Sequence, residues 1–191
     1  MSENNNFAPL CEANDSQLVI MDIQTHLTAT MPAKVLARLQ RNTGLLLKAA
    51  GVLGVPVYAT EQYPKGLGST EPDIVELLPE NTKRYEKTAF SCTGCEGFVT
   101  DVKEAGRKQI LLTGMEAHIC ILQTAIELFN AGYQVFVVAD AVCSRHRESY
   151  ETALLRLRRA GITICDAESI LFEWLKDAKN EHFKPIQALL K

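Results

Sequence analysis

Short apolar, β-branched runs recur along the chain, and the stretches between them carry apolar residues at helical intervals. The run SQLVIMD, Ser16 to Asp22, is continuous and bounded by polar positions, which predicts a strand buried on both faces. After Pro32, the positions Val35, Leu36, Leu39, Leu45, Leu46 and Ala49 follow helical spacing, and Gly51 is placed to end that helix. VPVYAT, Val55 to Thr60, predicts the next strand, and EQYPKGLGSTEPD, rich in proline and glycine, predicts a loop. IVELLP reads as a helical turn, KRYEK as a short strand, EGFVTDVKEAG as a helix closed by Gly106, and RKQILLTG as a buried strand. HICILQTAIELFNAG predicts a helix ending at Gly132, followed by the strand YQVFVVAD. RESYETALLRLRRAG predicts a helix with Leu154, Leu155, Leu157 and Ala160 near one face, and ITICDA the last strand. SILFEWLKDAK and FKPIQALL predict terminal helices.

Strands and helices alternating through short links are the pattern of a parallel sheet covered on both faces. The expected fold is therefore α/β: a three-layer α/β/α domain with a central parallel, Rossmann-like sheet of about six strands. One domain over residues 1–191 is expected, with the polar residues 1–15 flexible. A 47% apolar and 23% charged composition suits an ordinary globular domain, and a formal charge of −3 gives no electrostatic reason to expect nucleic acid or a membrane as partner. No apolar run approaches the roughly 18 residues of a membrane span. The first residues, MSENNNFAPLCEANDSQ, lack a secretory or transit pattern, so a cytoplasmic protein is expected. Six cysteines in such a compartment read as free thiols, and Cys92-Thr93-Gly94-Cys95 has no second ligand pair to make a zinc site. No cofactor is expected.

Ligands of such sheets sit beyond the carboxyl ends of the strands. There the chain places Asp22 after the first strand, Lys87 near the end of KRYEK, and Cys120 six residues beyond Gly114. An acid, an amine and a thiol suffice for acyl transfer. The thiolate is the nucleophile, and a helix N-terminus and a neighbouring ammonium would both lower the thiol pKa. A carboxylate can take the thiol proton and pass it to a leaving amine. Backbone N–H groups between Gly114 and Cys120 can meet a developing oxyanion. Each residue also has a plainer reading: a packed core cysteine, an N-capping aspartate, a solvated lysine. His118 and Cys120 are two residues apart and would not face each other on a helix, so no Cys–His pair is built.

The segments LVIMDIQ, YEKTAF and TGMEAHICILQTAIEL, in this order, resemble the isochorismatase-like cysteine hydrolase family, and the loop TEQYPKGLG resembles its isochorismatase domain-containing subgroup. The resemblance covers roughly Ser16 to Leu175. It implies a catalytic triad of Asp22, Lys87 and Cys120, oxyanion donors in the backbone N–H groups of Glu116 and Cys120, a cis peptide joining Met115 to Glu116, and a homo-oligomer. Nicotinamidases of the family carry an Asp/His metal cluster after the second strand; YATEQYPKGLGST has no histidine, so no metal is expected. Isochorismate-cleaving members lack the cysteine. The expectation is thus a metal-independent cysteine hydrolase acting on a small amide through a thioester, with Glu61, Gln62, Tyr63 and Phe90 lining the pocket. The alternatives are a catalytically retired interaction module and a vinyl-ether hydrolase of the isochorismate type.

Overall fold

In the computed structural model, which describes residues 10–190, six strands form one parallel sheet. They are β1 (Ser16–Met21), β2 (Val57–Gln62), β3 (Lys83–Lys87), β4 (Gln109–Met115), β5 (Gln134–Cys143) and β6 (Thr163–Cys165), in the order β3-β2-β1-β4-β5-β6. The helices are α1 (Thr25–Thr28), α2 (Ala33–Leu53), α3 (Pro64–Leu67), α4 (Pro72–Val75), α5 (Phe98–Glu104), α6 (Leu122–Asn130), α7 (Arg147–Arg159), α8 (Ala167–Leu175) and α9 (Phe183–Ala188).

Side-chain alternation along β1 sorts the core into two halves. Leu18 and Ile20 pack with Leu39, Leu46 and Leu47 of α2 and with Ile170, Leu171 and Trp174 of α8. Val19 and Met21 point the other way, toward Phe98 and Val102 of α5, Ala125 and Leu128 of α6, and Leu157 of α7. Every residue of β1 and β4 is buried, which is why both read as unbroken apolar runs. The three-layer α/β/α expectation holds.

Chain order fixes where the sheet opens. From β1 the chain builds β2 and then β3 on one side, and it returns to place β4 on the other side of β1. The connections leaving β1 and β4 diverge, so the crevice for a ligand lies between their carboxyl ends. Met21 stands opposite Gly114 there. Gly114 has φ +109°, and a Cβ at this position would lie 1.9 Å from the Met21 carbonyl oxygen. Backbone cannot step aside as a side chain can, so only glycine fits. Gly114→Ala is expected to cost at least about 3 kcal/mol and lower the unfolding midpoint by about 6–12 °C in thermal denaturation.

Several elements depart from the sequence reading, three of them with a clear physical cause. Helix α2 runs through Gly51 and ends at Gly54, whose φ of +65° makes the left-handed cap. An interior glycine costs only about 1 kcal/mol against alanine, less than the burial of Ala49 and Ala50 beside it returns. Strand β2 extends through Glu61 and Gln62 into the expected loop, because Glu86 and Lys87 of β3 supply ladder partners. Of the lead expected to be flexible, residues 10–15 are tied down: Cys11 is buried, its N–H donates to Glu173 Oε2 at 2.6 Å, and the Glu12 N–H donates to Gln109 Oε1 at 2.6 Å. Residues 1–9 lie outside the described ones.

Candidate active site

Asp22 is the first residue beyond β1, with φ +52°, a left-handed conformation that aspartate tolerates better than most residues. Its N–H donates to the Thr60 carbonyl at 3.0 Å, which fixes the turn against β2. Both carboxylate oxygens are occupied: Oδ1 accepts from Thr60 Oγ1 at 2.7 Å and Oδ2 from Lys87 Nζ at 2.7 Å. The ion pair is shut off from water, with both side chains 0% exposed.

Lys87 ends the edge strand β3, whose exposed residues Lys83, Arg84 and Glu86 face solvent while Lys87 turns inward. An ammonium has three N–H donors, and three acceptors meet it: Asp22 Oδ2, Gln62 Oε1 at 2.6 Å and the Phe90 carbonyl at 3.0 Å. Gln62 is itself oriented, since its Nε2 donates to the Thr88 carbonyl at 2.8 Å and its N–H to Gln24 Oε1 at 2.7 Å. Gln24 donates back to the Gln62 carbonyl at 3.1 Å and to the Gly68 carbonyl at 2.6 Å.

Beyond Gly114, the Met115–Glu116 peptide is cis. Ala117–Ile121 follows as a π-helical turn, and α6 continues from it. Single π turns recur at functional sites, where they re-aim a side chain. Cys120 hangs from this one, 6% exposed, with its sulfur 3.9 Å from Gln62 Oε1, the same oxygen that accepts from Lys87 Nζ. Carboxylate, ammonium and thiol, brought from three different strand ends, therefore meet.

The electrostatics correct one expectation. Cys120 was expected to have a lowered pKa. Instead, burial and the Asp22 charge push it up to about 12, and Lys87 only partly offsets them. The resting sulfur is a thiol. Burial likewise raises Asp22 above the ordinary carboxylate range, and a more basic carboxylate is a better proton acceptor. Burial opposes the charge on Lys87, but the Asp22 charge and its hydrogen bond outweigh it and hold the ammonium above its ordinary range.

Burial pushes Cys11 and Cys143 up to about 12 as well. In each case the folded pKa exceeds the unfolded one, so the contribution to stability is intact below the unfolded pKa and lost as pH rises through the folded value. Each of the three thiols is expected to remove on the order of 1.4 kcal/mol per pH unit between pH 9 and 12. Urea unfolding in reductant should show a much lower midpoint at pH 10.5 than at pH 8, using the window set by those values; equal midpoints would contradict this burial.

The remaining expected residues divide. Gln62 belongs to the cluster as a partner of Lys87. Glu61, expected in the pocket, points to the opposite face, because residues 60 and 62 already face the cluster and strands alternate. Its carboxylate accepts from the Thr70 N–H at 2.6 Å and the Thr70 hydroxyl at 2.7 Å, strapping down the following loop. Tyr63 is exposed with φ +35°, and lines a cavity of about 350 Å³ with Pro64, Lys65, Thr88 and Lys87. Phe90 contributes its carbonyl while its ring is exposed. The Glu116 side chain turns away to Arg145, whose N–H donates to Oε2 at 2.9 Å. His118 pairs with the Ser144 hydroxyl through Nδ1 at 2.9 Å, away from the sulfur. Cys92 and Cys95 are buried free thiols, with Cys92 Sγ 3.8 Å from Thr60 Oγ1. Thr60 and Gln24 were not singled out from sequence; the period-two pattern that puts Thr60 on the face of Gln62 was the available signal.

Doubly wound sheet and buried polar cluster at its switch point together suit a hydrolase. The chain belongs to the isochorismatase family of hydrolases: the isochorismatase domain matches residues 16–169. It is 43% identical over 150 residues to zebrafish isochorismatase domain-containing protein 2, covering 78% of this chain and 74% of that one. It is 40% identical over 149 residues to isochorismatase family protein 1A of Dictyostelium discoideum, covering 75% and 71%. Among solved structures, MAR1 ribonuclease from Caenorhabditis elegans superposes with a TM-score of 0.87 at 32% identity, covering 94% of this chain and 91% of that one.

Proposed function

We propose that this hydrolase cleaves a small amide-type substrate through a thioester on Cys120. The observation that carries the reading is the fully buried Asp22–Lys87 pair, linked to the Cys120 thiol through Gln62 Oε1, at the sheet's switch point. As sulfur attacks the carbonyl carbon, its proton passes to Asp22, which spares the protein a free thiolate in a buried site. The oxyanion is met by the N–H groups of Glu116 and Cys120. The C–N bond then breaks, and Asp22 returns the proton to the departing amine. Water, deprotonated by Asp22, attacks the thioester, releasing the acid and restoring the thiol. Lys87 stays protonated throughout and holds the carboxylate in place. Gln62 positions Lys87, and Tyr63 and Phe90 border the entry.

No metal takes part in this reading. Among the described residues, no group of three or more His, Cys, Asp or Glu side chains is placed to hold one. The six cysteines stand as free thiols, as suits the cytoplasm. Among the described residues no helix is long and apolar enough to cross a membrane. A homo-oligomer would cover the exposed Tyr63 and Phe90 rings, and light scattering would give its mass.

The test is a panel of small amides, followed by amine release with and without chelator. Turnover that is indifferent to chelator supports the reading, and no turnover across the panel overturns it. The name of the C. elegans structure supplies the second reading, RNA cleavage. RNA shortened by the wild type and by Cys120→Ala alike, with no amide turned over, would establish that instead.

A further inference from the structure

A second cavity lies apart from the cluster of Asp22, Lys87 and Cys120. It measures about 380 Å³ and is lined by Pro32, Val35, Arg38, Ser144, Arg145, Arg147, Tyr150 and Glu151. Three of these are arginines, and the single acid does not balance them. Glu151 is already engaged with Arg147, through Nε at 2.7 Å. Arg145 likewise uses its Nε on Glu116, at 3.1 Å. Both pairs leave the outer nitrogens of the guanidinium forks without a protein acceptor among the described residues.

Arg38 is the more telling group. It rises from α2 and stacks over the Tyr150 ring, 5.8 Å from its centroid. It makes no ion pair among the described residues. Its Nη2 has one long contact, 3.5 Å, to the Val142 carbonyl, and its Nε is buried with no hydrogen-bond partner at all. Buried N–H donors are almost always satisfied, so an orphaned guanidinium nitrogen beside a cavity lined by two further arginines calls for an acceptor that the chain itself does not supply. The cavity also meets the start of α7, a helix of 13 residues whose N-cap, His146, makes no side-chain capping bond. First-turn N–H groups there attract negative charge.

We propose that this cavity binds a small oxyanion of the phosphate type, with Arg38 as its principal anchor. The guanidinium fork matches two phosphate oxygens at once, and the Arg145 and Arg147 forks and the first N–H groups of α7 face the remaining charge. The proposal stands on the cavity and its unpartnered donors, not on the catalytic reading, so either can fail without the other.

The experiment is calorimetric titration of the full-length protein with inorganic phosphate at low ionic strength. Wild type is expected to show saturable one-site binding. Arg38→Met should weaken it at least about tenfold, the loss of a charge-assisted pair. Arg38→Lys, which keeps charge but loses the fork, should recover part of the affinity, while Arg159→Met at the far end of α7 should match wild type. Circular dichroism checks that each variant folds. Should Arg38→Met not fold, Arg145→Met takes its place, with an expected weakening of about threefold. No saturable heat up to about 20 mM phosphate, or unchanged affinity in the arginine variant, overturns the proposal.

Discussion

Cys120→Ala is expected to fold as wild type does and to lose at least about a thousandfold in turnover of the best amide. Removing a covalent nucleophile takes away a reaction route, so the loss is not a matter of degree, and no other group stands ready to replace it. Cys92, the nearest rival thiol, is 0% exposed and sits behind Thr60, at 3.8 Å from its hydroxyl. The structural cost is small, because a single sulfur is removed from a site where the backbone stays held by the π turn. Steady-state kinetics, with a urea midpoint to confirm folding, gives the answer; activity within tenfold of wild type would remove Cys120 from the mechanism.

Lys87→Met carries the second large effect, on stability as well as on rate. It strands Asp22 as a lone carboxylate with both side-chain exposures in the pair at 0%. Breaking a buried pair from one side costs about 3–5 kcal/mol. The sign of the pH dependence follows from Asp22. Without the ammonium its pKa rises further, so the neutral acid is the comfortable form, and the penalty grows as pH rises and ionisation is forced. The variant should therefore lie closer to wild type at pH ~5 than at pH ~8. Asp22→Asn combined with Lys87→Met should cost less than the two separately, since neither charge is then unpaired. Turnover should be absent from all three. Urea unfolding across pH checks the stability claim, and a loss in Lys87→Met under about 1 kcal/mol would show that the pair is not buried as described.

How much of this was legible in the sequence depends on whether the deciding interaction is local. Strand β1 was readable because burial on both faces leaves an apolar run, and Gly114 because its φ admits little else. The register at the end of β2 was not. Whether Glu61 or Gln62 faces the cluster depends on two extra residues of pairing with β3, which turn and loop residues nearby conceal. Lys87 sits among charged neighbours that are exposed; its place near the end of KRYEK put it at the sheet's rim, but nothing local marks it as inward, and its triad role came from the family resemblance. The Cys120 pKa went astray for the same reason. A helix end and a nearby ammonium are visible along the chain, whereas the burial that outweighs them is made by the whole fold.

The most direct test of the account is intact-protein mass spectrometry on wild type quenched by acid during turnover of an amide, followed by peptide mapping. A mass increase equal to the acyl group is expected on the peptide holding Cys120 and on none of the other five cysteines. Full turnover with no acyl adduct at any quench time, or an adduct elsewhere, would contradict it.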